Sequence, residues 1–184
     1  MTRRSEHDEL PDITSTSNPL ILVPIDLSTG RIYLTTAPGY KSIVWFQNRG
    51  ACRIHRDMAK DVGRLRANGI HRVVTLMAGD ELLDAEMHDL SPELMRNGMQ
   101  WTHLPLPRGA GEDRFFREEL SEVSKILRQD LKDGKAFAFH VDQWEYRMEV
   151  YLPSIILALD PLPSAIRASA MAKGSLGYAR ALSR

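Results

Sequence analysis

The stretch Lys135-Ala136-Phe137-Ala138-Phe139-His140-Val141-Asp142-Gln143-Trp144-Glu145-Tyr146-Arg147-Met148-Glu149-Val150 decides how this chain is read. Phe137, Ala138 and Phe139 form a short apolar run after the turn at Asp133 and Gly134. An amphipathic pattern resumes near Arg147 and continues past Tyr151, so the order is buried strand, tight loop, helix. A loop that feeds a helix N-terminus aims backbone N–H groups and the positive end of the helix dipole at one point, the arrangement that binds phosphate. His140 opens this loop and Arg147 closes it.

Upstream, the pattern repeats. Arg56 opens a segment in which Met58, Val62 and Leu65 recur at helical spacing, Asn68-Gly69 closes the helix, and Ile70 to Met77 reads as a buried strand. Ala78-Gly79-Asp80 is a turn before a short helix from Glu81 to Met87. Ser91 is placed as the N-cap of another helix, with Pro92 at its first position and Asn97-Gly98 at its end. Met99 to Leu106 is the next strand, and Phe115 to Asp133 a long helix with Phe116, Leu120, Val123 and Leu127 on its core face. Strands that each follow a helix predict an α/β fold with a central, mostly parallel sheet flanked by helices on both faces.

Nearer the N-terminus, Leu20–Ile25 and Arg31–Thr35 flank the turn Ser28-Thr29-Gly30 and predict a hairpin. Residues 40–54 are poorly periodic; Trp45 and Phe46 are expected to pack inward, and Cys52 to be a small buried or partly exposed thiol. Residues 1–18 are polar and are expected to be a disordered or loosely attached arm ahead of one domain over 19–184. Past the central loop, Glu149 to Leu159 is strongly apolar and predicts the helix behind the loop, with Pro153 marking a kink or the true start. Helices over Ser164–Met171 and Leu176–Leu182 are expected to follow.

The chain has 184 residues, with Lys plus Arg and Asp plus Glu equal at 24 each. No global charge steers it to nucleic acid or to an anionic membrane. The single cysteine excludes an intramolecular disulfide framework, no Cys/His cluster has zinc spacing, and no cofactor or metal is expected. No apolar run approaches the roughly 20 residues of a membrane span, and acidic residues stand where a signal peptide needs its apolar core, so a cytoplasmic protein is expected.

The spacing of His140 and Arg147 resembles the protein tyrosine phosphatase signature, His-Cys-x-x-Gly-x-x-Arg-Ser/Thr. Val141 stands at the position of the nucleophilic cysteine, Trp144 at that of the glycine and Met148 at that of the Ser/Thr. From about residue 20 the chain is similar to the dual-specificity phosphatases of the kinase-associated, or cyclin-dependent kinase inhibitor 3, type. The similar features are Pro24-Ile25, Gly30-Arg31, Leu34-Thr35, Ala37-Pro38-Gly39, Arg56 to Val62, Leu65, Gly69-Ile70, Asp89-Leu90, Gly98-Met99 and His103 to Pro107, in that order.

The resemblance implies a protein tyrosine phosphatase-like fold and a mechanism in which a thiolate attacks phosphorus, an Asp protonates the leaving oxygen and an arginine clamps the phosphoryl group. Val141 supplies no thiolate, and Arg108 falls at the position of the acid; Arg147 alone is kept. Loss of a nucleophile costs on the order of 10⁴ to 10⁶ in rate. The resemblance therefore implies a pseudophosphatase, with His140 a hydrogen-bonded core histidine and Arg147 an internal salt-bridge partner. Its remnant phosphate loop comprises His140, Val141, Asp142, Gln143, Trp144, Glu145, Tyr146 and Arg147. Asp142 and Glu145 would each oppose a phosphate at roughly 4 Å by about 1 to 4 kcal/mol, and Trp144 fills a glycine's place, so phosphate binding is expected to be weak or absent. Two functions follow. The first is a binding or regulatory module that holds a protein partner through Asp142, Trp144, Glu145 and Tyr146. The alternative is a phosphatase or other hydrolase with an unconventional nucleophile, such as a water activated by Asp142 or Glu145, acting on a phosphoprotein or a small phosphate ester.

Overall fold

In the computed structural model the described residues are 10–46, 50–106, 114–141 and 145–160, the side chains of 145–149 excepted. In chain order the elements are β1 (Asp12–Thr14), β2 (Leu22–Leu27), β3 (Gly30–Thr36), β4 (Lys41–Phe46), β5 (Gly50–His55), α1 (Met58–Ala67) and β6 (Ile70–Thr75). They continue with α2 (Gly79–Asp84), α3 (Leu90–Arg96), β7 (Gln100–His103), α4 (Arg114–Lys132), β8 (Ala136–Val141) and α5 (Glu145–Leu159).

The main sheet has the order β2-β3-β8-β6-β7. Its hairpin strand β2 runs antiparallel to β3, and β3, β8, β6 and β7 are mutually parallel. Parallel crossovers are right-handed, because a right-twisted strand feeding a right-handed helix packs back on the sheet only in that sense. The connections β3 to β6 and β6 to β7 travel one way across the sheet, while β7 to β8 travels back. Handedness therefore places α1 and α3 on one face and α4 on the other. The packing agrees: α1 lies against α3 and β6, and α4 against α5. The expectation of a mostly parallel sheet with helices on both faces holds.

One apolar core fills both layers. Phe137, Phe139 and Val141 of β8 join Phe116, Leu120 and Leu127 of α4 and Tyr151, Ile155 and Leu159 of α5, all buried. Phe116 and Tyr151 meet edge to face at 4.9 Å between ring centres. Arg128 Nη1 donates to the Ala158 carbonyl at 2.7 Å, satisfying one of the last acceptors of α5. Arg72 of β6 crosses the same layer, with Nε 2.6 Å from Asp130 Oδ2 on α4 and Nη1 3.0 Å from Thr102 Oγ1. Among the described residues, no helix is long and apolar enough to cross a membrane.

A second, three-stranded sheet, β1-β5-β4, sits beyond the end of β3. The region that looked aperiodic is its β4–β5 hairpin, with Val44 opposite Cys52 facing the core. Alternation then turns Trp45 outward, where it is 79% exposed; the expected inward packing of this residue is wrong. Cys52 is buried, as expected. The polar arm is also in part folded. Residues 12–14 pair in parallel with Arg53 to His55, and Ser15 Oγ accepts from the Asp57 N–H at 2.7 Å. The composition of the arm concealed this because its strand is held by main-chain bonds and not by apolar side chains. Residues 1–9 lie outside the described residues, as do the helices expected over 164–171 and 176–182.

Two helix starts also differ. α3 begins at Leu90 after the cap position Asp89, upstream of the expected Ser91 cap, because Leu90 is buried in the core and the helix extends to place it there. α5 begins at Glu145 and carries Pro153 inside it. The first four N–H groups of a helix need no internal partner, but Pro153 lies beyond them and so removes one hydrogen bond of the ladder.

A buried ion pair joins the two sheets. Asp61 on α1 takes Arg56 Nε at 2.7 Å and Nη2 at 2.9 Å, and also the Gly39 N–H at 2.9 Å; Arg56 Nη1 donates to the Asn18 carbonyl at 2.9 Å. Gly39 has φ +70, and a Cβ there would lie 2.5 Å from Met58 Cε, so the turn that reaches Asp61 requires glycine. Removing one partner of such a pair leaves the other charge buried and unpaired. Arg56→Ala is expected to destabilise the fold by about 3–5 kcal/mol in urea unfolding, far more than loss of an exposed pair such as Arg31 with Asp26.

Candidate functional site

In open α/β sheets, ligands bind where the connections from two adjacent parallel strands leave toward opposite faces. Here those strands are β8 and β6: β8 leads to α5 on the α4 face, and β6 leads through α2 to α3 on the other. That switch point, the general place for a crevice in such sheets, lies at their carboxyl ends, where β8 stops at Val141.

The strand ends are bound tightly together. The Leu76 N–H donates to the His140 carbonyl at 3.0 Å, Leu104 N–H to the Thr75 carbonyl at 2.9 Å, and Leu106 N–H to the Leu76 carbonyl at 3.0 Å. Register sets Thr35 of β3, His140 of β8 and Thr75 of β6 side by side, so their side chains share the face covered by α1 and α3. Trp101 and His103 of β7 stand on this face by the same alternation. The result is a polar row across four strands, directly beneath the crevice.

His140 lies at its centre and has no exposed surface. Its Nε2 is 2.7 Å from Thr75 Oγ1, which also receives the Trp101 indole N–H at 2.8 Å. The indole occupies one lone pair of the hydroxyl, and the other lone pair or the hydroxyl proton meets Nε2, so Thr75 holds the imidazole in either tautomer. Among the described residues neither Nδ1 nor Thr35 Oγ1 has a hydrogen-bond partner. Burial pushes the His140 imidazole from its ordinary 6.5 down to about 3, and the neighbouring His103 adds to the shift. The ring is neutral at physiological pH and is no proton donor of the imidazolium type. His103 stacks on Trp101 at 5.5 Å between ring centres, and its Nε2 is 2.7 Å from the Met77 carbonyl.

Val141, the residue after His140, ends β8 opposite Thr36 and is 1% exposed. It belongs to the apolar core on the face of Phe137 and Phe139. Asp142, Gln143 and Trp144 lie outside the described residues, as does Arg108. Glu145, Tyr146, Arg147 and Met148, which the sequence pattern left in the loop or at its border, have helical backbone in α5. The interval between strand and helix is thus three residues, 142–144, and the N-terminal end of α5, with its partial positive charge, follows directly. Among the described residues, no three His, Cys, Asp or Glu side chains are grouped to hold a metal ion. Sequence reasoning did not single out Thr35, Thr75 and Trp101; the signal available was the alternation Trp101-x-His103 on a strand adjoining that of Thr75.

The His140 imidazole has a lower pKa folded than unfolded, so between pH 6.5 and about 3 the unfolded chain binds more protons than the fold. Stability from this group is present above pH 6.5 and is lost as pH falls. Urea unfolding is expected to show a loss of ~2 kcal/mol from His140 between pH 7 and 5, and a His140→Gln variant to lack that share of the pH dependence.

No family model matches the chain, and no curated protein sequence matches it. Solved structures do. Kinase associated phosphatase, crystallised with its catalytic-site cysteine substituted by serine, superposes with a TM-score of 0.65 at 20% identity over 84% of this chain and 82% of that one. A mutant form of Tk-PTP gives a TM-score of 0.52 at 15% identity over 83% of each chain. The likeness is one of architecture: this chain has a protein tyrosine phosphatase-like fold.

Proposed function

We propose that this protein is a phosphatase-fold module without phosphatase chemistry, which acts by binding a protein partner at the carboxyl-end crevice. The observation that carries the reading is Val141. A phosphatase of this architecture attacks phosphorus with a thiolate held by loop N–H groups and a helix end, and the side chain at that position here is an apolar one buried in the core. The single thiol of the chain, Cys52, is buried in the other sheet. Arg108, at the position of the general acid in the resemblance, adds a second deficit.

Neutral His140 supports the same reading. Its Nε2 is committed to Thr75 and its pKa is far below the working range of a general acid or base at neutral pH. It completes the interior beneath the crevice. The loop sequence Asp142-Gln143-Trp144-Glu145-Tyr146 offers acidic and aromatic groups, a composition suited to a basic or amphipathic protein segment and unsuited to a phosphate. The protein is expected to work in the cytoplasm.

Purified protein should hydrolyse neither an aryl phosphate nor a phosphopeptide above background, with or without divalent metal. Turnover that survives purification and disappears in Arg147→Ala would refute the proposal and favour a hydrolase with an unconventional nucleophile. Val141→Cys is expected to stay near background, because a thiol alone restores neither the acid nor the glycine of the cradle. The two deficits together, at about 1–4 kcal/mol each, hold the rate several decades below that of an intact site.

A further inference from the structure

The strand β4 is the edge of the three-stranded sheet. Hydrogen-bond direction alternates along a strand, and two bonds fix its phase here. The Tyr40 carbonyl accepts from Arg56 N–H at 3.1 Å, so the even-numbered residues of β4 direct their main-chain groups toward β5. Lys41 N–H donates outward to the Ala85 carbonyl at 3.2 Å, and Arg53 N–H, opposite Ile43, turns away to Pro11 at 2.9 Å. Ile43 and Trp45 therefore present their N–H and C=O groups on the open side, where no strand adjoins them among the described residues.

The side chains of the same two residues are exposed, Ile43 by 54% and Trp45 by 79%. Edge strands are ordinarily blunted by an inserted charge, proline or bulge, and Ile43-Val44-Trp45 has none of these. The flanking cations do not guard it. Lys41 Nζ is paired with Glu86 at 2.8 Å, and Arg53 lies 3.7 Å from Asp12, so the patch carries little net charge to repel a copy of itself. The whole chain is likewise formally neutral.

We propose that β4 is the interface of a symmetric dimer formed with a second copy of this chain, by antiparallel pairing about a two-fold axis at Val44. In that register Ile43 faces Trp45 of the second copy and each such pair exchanges both main-chain bonds, as the hydrogen-bonded pairs of an antiparallel ladder do. A two-fold axis requires outward-facing residues spaced evenly about the centre, and positions 43 and 45 meet that condition. The same register sets an aromatic side chain against a β-branched one across the strands, on both sides of the axis. Ala51, the small partner of Trp45 on β5, leaves the indole uncovered within one chain. One short strand pair buries well below the ~1,200 Å² of a stable interface, so the dimer is reversible, with a Kd of about 10 µM to 1 mM.

Sedimentation equilibrium of the full chain, from about 10 µM to about 1 mM, tests this. The weight-average mass is expected to rise from the monomer's 20.8 kDa toward twice that value. Trp45→Lys and, separately, Ile43→Lys are expected to weaken association at least tenfold while leaving the circular dichroism of the monomer unchanged; both positions are exposed, so either variant can serve if the other does not fold. Concentration-dependent protection of the Ile43 and Trp45 amides from hydrogen exchange is expected in the native chain. A monomer throughout the range, its edge then open to a strand of another protein, overturns the proposal. So does a dimer that neither substitution weakens.

Discussion

The strand β8 is enclosed on all sides: β3 and β6 border it, α4 and α5 cover one face, and α1 and α3 the other. A strand so placed admits a polar side chain only where a hydrogen bond satisfies it, since an unpaired buried group costs on the order of 1–3 kcal/mol. His140 meets the requirement at Nε2 through Thr75, which is itself fixed by the Trp101 indole, while its Nδ1 has no partner among the described residues; the row ties β8, β6 and β7 at their carboxyl ends. The crevice above inherits its floor from this constraint. Because the imidazole is neutral, the floor adds no charge to the field of the α5 N-terminus, and the electrostatic character of the crevice is left to the loop that follows.

Two ion pairs extend this order outward by different routes. Arg72 with Asp130 crosses from β6 to α4 and binds sheet to helix within one layer. Arg56 with Asp61 gathers the Asn18 carbonyl, the Gly39 turn and the start of α1, so that the second sheet and the N-terminal strand are held to the main body by one fully bonded carboxylate. Asp160 plays a similar part at the opposite end, where its Oδ2 accepts the Ser28 N–H at 2.8 Å and joins the hairpin turn to the end of α5. Such buried carboxylates stabilise through their full set of donors, more than through the charge pairing itself.

The architecture and the chemistry of the candidate site separate cleanly. A strand end followed closely by a helix N-terminus brings main-chain dipoles toward one point, the general frame of an anion site. Reactivity needs particular side chains on that frame, and β8 ends there in the apolar Val141, buried in the core with Phe137 and Phe139. The proposed binding role rests on that apolar side chain.

The sequence by itself determined most elements of the main sheet and its helices, in their order. Period-two and period-3.6 patterns placed β6, β7, α4 and β8, and the turn at Ser28-Thr29 placed the β2–β3 hairpin. Such features are legible because they depend on neighbours a few positions away in the chain. Tertiary structure alone decided the rest. That Thr35, His140 and Thr75 lie abreast follows from strand register, and the depressed pKa of His140 follows from burial by segments distant in sequence. Trp45 faces solvent because Val44 and Cys52 claim the inner face of the hairpin, and the polar residues 12–14 are a strand because β5 offers them an edge. Desolvation and main-chain pairing are set by what comes to lie beside a residue, which composition and periodicity do not encode.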